Sequence, residues 1–234
     1  MAHLSIARAV AREHMRDLSY SLWSLILPPV VYGVAALFLA DGTAAREAAI
    51  LGATLLGVTC TAGCVSFPMG LRALEDQGLY RALRLRPVPP WQLVASATAA
   101  DTLILLGSCA LVAAVAAIRG LLGAPLPQPP AWAAATAVAV AVSMAMGAAL
   151  WSTGASFLAL KNYGNVVLLP YLLGAGIFFH LPGVLDTVGS LLPSYQINRL
   201  LLTGDPRTLM VPGVWIAACV AYTALRARRG RSDA

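Results

Sequence analysis

Residues 93–118 read LVASATAADTLILLGSCALVAAVAAI, twenty-six residues with a single charged group, Asp101. A bilayer's hydrocarbon core of ~30 Å is crossed by about 20 apolar residues in a helix. A helix of this length in a soluble domain would keep a polar face, and this run has none. The rest of the chain agrees with that reading. Of its 234 residues, 59% are hydrophobic and 11% charged, and the mean hydropathy is +0.76, whereas soluble domains carry about 25% charged residues. The expected fold is therefore all-α, a polytopic membrane protein with one transmembrane domain over residues 1–234.

Five further stretches read as spans: Leu22–Ala40, Ala48–Met69, Trp132–Leu160, Asn162–Phe179 and Leu209–Leu225. Pro28-Pro29 is expected to kink the first. Trp132–Leu160 is long enough to be tilted or broken, and Pro170 lies inside the fifth span. Ahead of the spans, His3–Tyr20 is amphipathic: Leu4, Ala7, Val10, Ala11, Met15 and Leu18 share one arc, beside a ridge of Arg8, Arg12 and Arg16. That pattern predicts a helix on the surface of an anionic leaflet. No short apolar core with a small-residue cleavage site follows, which argues against a removed signal peptide. In Leu181–Leu192, apolar residues fall on one helical face and Asp186, Thr187 and Ser190 on the other. A dozen residues cannot span, so 181–202 is expected to be a re-entrant extracytoplasmic segment, with Pro193 ending its helix and Ser194–Leu202 leading back to the surface.

The cationic residues fix an expected orientation. With the N-terminus inside, Arg8, Arg12, Arg16, Arg72, Arg81, Arg84, Arg86, Lys161, Arg226, Arg228, Arg229 and Arg231 are cytoplasmic, and only Arg46, Arg119, Arg199 and Arg207 are outside. Positive charge favours the cytoplasmic side, so both termini are expected there, in a plasma (bacterial inner) membrane. The net charge of +6 is thus topological and does not imply a nucleic-acid partner. Cys60, Cys64, Cys109 and Cys219 all lie in apolar runs and read as buried thiols, neither a disulfide framework nor a metal site.

The long polar interruption in the first half of the chain, Leu71–Trp91 (LRALEDQGLYRALRLRPVPPW), then falls on the cytoplasmic side. Within it Glu75, Gly78, Leu83-Arg84 and Pro87-Val88 form E-x-x-G-x-x-x-x-L-R-x-x-P-V. Further on stand Gly176, Phe178-Phe179, Leu181-Pro182, Pro193, Tyr195 and Arg199. These two sets, together with six spans and an amphipathic start, resemble the ABC type-2 permease family, the membrane subunit of ABC type-2 exporters. His180 departs from the Pro that family members often have at that place.

The resemblance implies a half-transporter that pairs with a second copy or a homologous permease and sits on two ABC ATPase subunits. It exports a hydrophobic or amphipathic small molecule such as a drug, antibiotic or natural product. The only lysine is Lys161 and no G-x-x-x-x-G-K-[ST] loop is present. The chain is therefore expected to be no enzyme and to hold no cofactor of its own, with Mg-ATP on the partner. A short helix around Asp76–Arg86 would dock into the ATPase through Asp76, Arg81 and Arg84, with Leu79, Tyr80 and Leu83 as apolar anchors. Gly78 would allow a tight backbone approach and Pro87 would stop the helix. Asp101, Phe178, Phe179 and His180 are the candidates for a substrate path or gate. An acid inside a span is a functional candidate by default. Asp101 would either bind a cationic substrate, pair with an N-terminal arginine, or hydrogen-bond as a neutral carboxyl to a neighbouring helix.

Other readings are export of a lipid-linked polysaccharide or haem, or a membrane assembly protein without transport. The three histidines, His3, His14 and His180, form no ligating cluster for haem. Gly154-Ala155-Ser156 resembles the start of an intramembrane-protease G-x-S-G motif. However, Ser156 and His180 would lie at opposite ends of their spans, roughly 15 Å apart in height, far beyond hydrogen-bond reach.

Overall fold

The computed structural model describes residues 25–39, 42–76, 90–124, 126, 128–174 and 184–232. Every regular element among them is helical: α1 (Leu27–Leu39), α2 (Ala44–Cys60), a π-helical segment (Thr61–Ser66), α3 (Phe67–Asp76), α4 (Pro90–Leu121), α5 (Pro129–Ser152), α6 (Phe157–Gly174), α7 (Val184–Ser190), α8 (Pro193–Thr203) and, after a 3-10 turn at Pro206–Leu209, α9 (Met210–Ser232). Four helices are long and apolar enough to cross a membrane: Arg46–Asp76, Ala95–Leu121, Pro129–Trp151 and Pro206–Ala227. Of the two other expected spans, the described parts are α1, an apolar helix of 13 residues, and α6, of 18 residues.

The first of the four is the axis of the molecule. α2, the π segment and α3 run as one helix of 33 residues, with 61% of its most apolar stretch buried, against 11% for the last span. At 1.5 Å per residue it is about 50 Å long and overshoots a ~30 Å hydrocarbon core. Pro68 accounts for the wide turn in its middle. A proline inside an α-helix has no N–H to donate to the carbonyl four residues back, here Cys64, and its ring clashes with that carbonyl. The π turn moves the carbonyl aside, and the Phe67 N–H reaches back to the Ala62 oxygen.

Two apolar clusters hold the helices together. The larger is built on Leu55, Leu56, Cys60, Cys64, Phe67 and Leu71 of the axis, with Cys109, Val142, Tyr171 and Ile197 packed on it from α4, α5, α6 and α8. The smaller joins Tyr32 and Ala36 of α1, Ile50 and Leu51 of α2, and Val112 and Ala116 of α4. Lipid is as apolar as these side chains, so close packing rather than expulsion of water must hold helices of this kind together. Exposed Leu37, Phe38, Leu103, Leu121, Val166 and Val214 point away from the bundle, as expected for residues that face lipid.

The structure bears on four sequence expectations. Trp132–Leu160, expected to be tilted or broken, is broken: α5 ends at Ser152, and Gly154 takes a left-handed φ of 73°, which a helix cannot contain. Ser156 then caps α6, its Oγ accepting from the Ala159 N–H at 3.4 Å, so this serine serves the backbone. The polar stretch starting at Leu71 is still helical through Asp76. Pro28-Pro29 lie at the start of α1, directly after Leu25 and Ile26, which are themselves π-helical, so the helical path runs through the two prolines. Finally, the described helix in 181–192 covers only Val184–Ser190, and Pro193 opens a second helix, α8, in place of a simple return. α8 buries Ser194, Ile197, Asn198, Leu200 and Leu201 and ends on left-handed Gly204, whose N–H caps the Leu200 carbonyl.

Candidate functional site

The π segment gives its two sides different jobs. One side is locked. A Cβ on Gly63 would come within 2.6 Å of the Ser143 backbone of α5, and one on Gly147 of α5 would overlap the Gly63 carbonyl oxygen. A Cβ on Gly164 of α6 would lie 2.7 Å from the Cys64 oxygen. Three backbones therefore cross at van der Waals contact, which only glycine permits. The Cys64 thiol, fully buried, donates to the Ser143 carbonyl at 3.7 Å.

The other side is open. Ala53, Thr54, Gly57, Val58, Thr61, Ala62 and Ser66 wall one flank of a cleft of about 340 Å³. Leu27, Pro28 and Val31 of α1 form its lip, and Asp101, Ile104, Leu105 and Met144 its floor. Leu27 and Val31 are themselves 38% and 47% exposed, so the cleft opens sideways past α1, toward the lipid-facing surface. The polar groups are few. Thr54 spends its hydroxyl hydrogen on the Ile50 carbonyl at 2.9 Å, while Thr61, Ser66 and the Asp101 carboxyl add polarity to an otherwise apolar wall. Asp101 is 8% exposed and lies eleven residues into α4, about 16 Å along its axis. A mostly apolar cleft with a few polar points is the usual form of a site for an apolar or amphipathic small molecule.

The axis ends below the cleft in a compact charge group. Arg72 Nη1 donates to Glu75 Oε2 at 3.0 Å, and its Nε lies 3.4 Å from Asp76 Oδ1. Arg72, one turn earlier, offsets the two acids, of which Asp76 is the more exposed.

Of the residues singled out in the sequence, Asp101 lines the cleft and Glu75 and Asp76 stand at the foot of the axis. Gly78, Leu79, Tyr80, Arg81, Leu83, Arg84 and Pro87 lie outside the described residues, as do Arg8, Arg12, Arg16, Phe178, Phe179 and His180. Sequence reasoning missed the π segment and the open face carrying Thr61 and Ser66. Its available signal was Pro68, a proline deep inside an apolar helical run. Cys60, Cys64 and Cys109 are buried free thiols, and no cluster of metal-ligating side chains exists among the described residues. No protein-family model matches the chain, and no curated protein matches it.

Proposed function

We propose that this chain is the membrane-spanning permease subunit of an ABC exporter, with six spans, a re-entrant extracytoplasmic segment and cytoplasmic termini. It moves a hydrophobic or amphipathic small molecule with ATP hydrolysed by a separate ATPase. One observation carries the reading: the helix whose π segment walls the Asp101 cleft is the same helix that delivers Glu75 and Asp76 to the polar loop. A push on the loop would reach the cleft wall through a continuous element, with no joint except the π turn. The loop's Glu75–Val88 spacing resembles that of a family in which this loop docks on the ATPase, and the chain's lack of a phosphate-binding lysine loop supports a two-part machine.

The test is coupling. Glu75→Arg combined with Gly78→Pro reverses the charge that Arg72 holds and stiffens the backbone next to it. The double variant is expected in the membrane at wild-type level, with substrate-stimulated hydrolysis by the co-purified ATPase reduced to its basal rate. Unchanged stimulation, or the lack of any ATPase that co-purifies with the wild-type chain, overturns the proposal.

The cleft itself makes a second expectation. Among the described residues of the cleft wall Asp101 is the only carboxylate, and in this reading a cationic guest gains one charge contact worth about tenfold in affinity, ~1.4 kcal/mol. Asp101→Asn is expected to cut vesicle uptake of a cationic amphiphile about tenfold while leaving a neutral analogue of the same shape unaffected. An equal loss for both would assign Asp101 to packing.

A further inference from the structure

At the end of the bundle away from Arg72, a second polar group is assembled from three helices. Glu47, in the first turn of α2, is 1% exposed and ion-paired with Arg119 Nη2 from the last turn of α4. Each charge sits at the helix end whose dipole favours it. The pair satisfies only part of their hydrogen-bonding capacity. Glu47 Oε2 and Arg119 Nε are buried with no hydrogen-bond partner among the described residues, and the buried Tyr32 hydroxyl lies within hydrogen-bonding reach of Arg119 and electrostatic reach of both charges.

Glu47 and Arg119 line a cavity of about 340 Å³, with Gly42, Leu122 and Gly123 around it. That is far more room than one bridging water requires. Buried polar atoms rarely stand without a partner. Glu47 and Arg119 share one charge-neutral nest that still offers an acceptor and a donor, with the Tyr32 hydroxyl beside them.

The surroundings fix the height of this nest. Leu37, Phe38, Leu121 and Leu122 beside it are 74%, 81%, 88% and 83% exposed, so the nest lies where the lipid-facing surface gives way to the polar helix ends. A bare anion would meet Glu47 and a bare cation would meet Arg119. A neutral zwitterion satisfies both. Its cationic end must carry an N–H, because Glu47 Oε2 can only accept, and a quaternary ammonium has no hydrogen to give.

We propose that the Glu47–Arg119–Tyr32 nest binds a zwitterion made of a primary ammonium and a phosphate, the headgroup of phosphatidylethanolamine, with ammonium on Glu47 and phosphate on Arg119. The site requires only that these helices span a bilayer, and it stands whether or not the chain is an exporter.

The purified full chain is reconstituted in nanodiscs of phosphatidylcholine and phosphatidylglycerol, with phosphatidylethanolamine replacing part of the phosphatidylcholine. Lipids retained on the protein are counted by native mass spectrometry. Wild type is expected to retain phosphatidylethanolamine over phosphatidylcholine by about tenfold, the worth of one charge-assisted hydrogen bond. Tyr32→Phe and Glu47→Gln are expected to narrow or remove the preference. Should Glu47→Gln fail to fold, Leu122→Trp serves in its place, filling the cavity mouth while leaving the ion pair intact. Equal retention of the two lipids by wild type, or a preference that survives Glu47→Gln or Leu122→Trp, overturns the proposal.

Discussion

Gly147→Ala is expected to leave little folded protein after detergent extraction, whereas Gly213→Ala behaves as wild type. A single methyl at 147 overlaps the Gly63 carbonyl oxygen and comes within 3.0 Å of the Phe67 ring. The obstruction is backbone, so no rotamer change relieves it. The opposite helix cannot retreat either, because Gly63 faces the Ser143 backbone and the neighbouring Cys64–Val65 segment is pressed against Gly164 of α6. Overpacking typically costs 1–3 kcal/mol, and at a three-way crossing the expected loss is at the upper end, about 3 kcal/mol. Gly213 has nothing within 4 Å of the same methyl, and alanine is the better helix former. Thermal denaturation followed by the monodisperse fraction on gel filtration compares the two. Equal melting temperatures would mean that α5 and the axis do not cross this closely.

Arg119→Ala is expected to be nearly as damaging, for an electrostatic reason. Its partner Glu47 is 1% exposed and would be left in a low-dielectric site with no cation. Removing one member of a fully buried pair costs about 3–5 kcal/mol, mainly through the charge left behind; Arg119 is itself 18% exposed, so the expected loss is at or below the lower end of that range, about 2–3 kcal/mol. The double variant Glu47→Gln/Arg119→Met is therefore expected to melt well above Arg119→Ala, since it leaves neither charge in place. The coupling is read from a double-mutant cycle on the same melting assay. A single variant within about 0.5 kcal/mol of wild type would place the pair in contact with water and reduce it to an ordinary surface interaction.

The two sites differ in how much the sequence shows of them. A run such as Leu93–Ile118 declares a span through composition alone, and α4 covers it with a few residues to spare at either end. Asp101 stands out in the same run because nothing else there is charged. Hydropathy fails where the backbone decides. It joins α5 to α6 across Gly154, since a left-handed φ leaves no trace in apolarity, and it passes over Pro68 because a π turn keeps the helix going. The Glu47–Arg119 pair is hidden for a different reason. Its members are 72 residues apart, and Arg119 read from sequence is just one more charge at the end of a span. The polar loop is the reverse case: its motif is plain in the sequence, yet only its two ends, 71–76 and 90–91, lie in the described structure.

The π turn also changes how the axis should be compared with any other helix. A π turn takes in one residue more than an α turn, which amounts to about 100° of rotation for everything beyond it. The face that α2 presents is therefore not continued by the same heptad positions in α3. A relative built on an uninterrupted helix would match this chain only with a single-residue gap between Cys60 and Phe67, and the absence of Pro68 would be its mark.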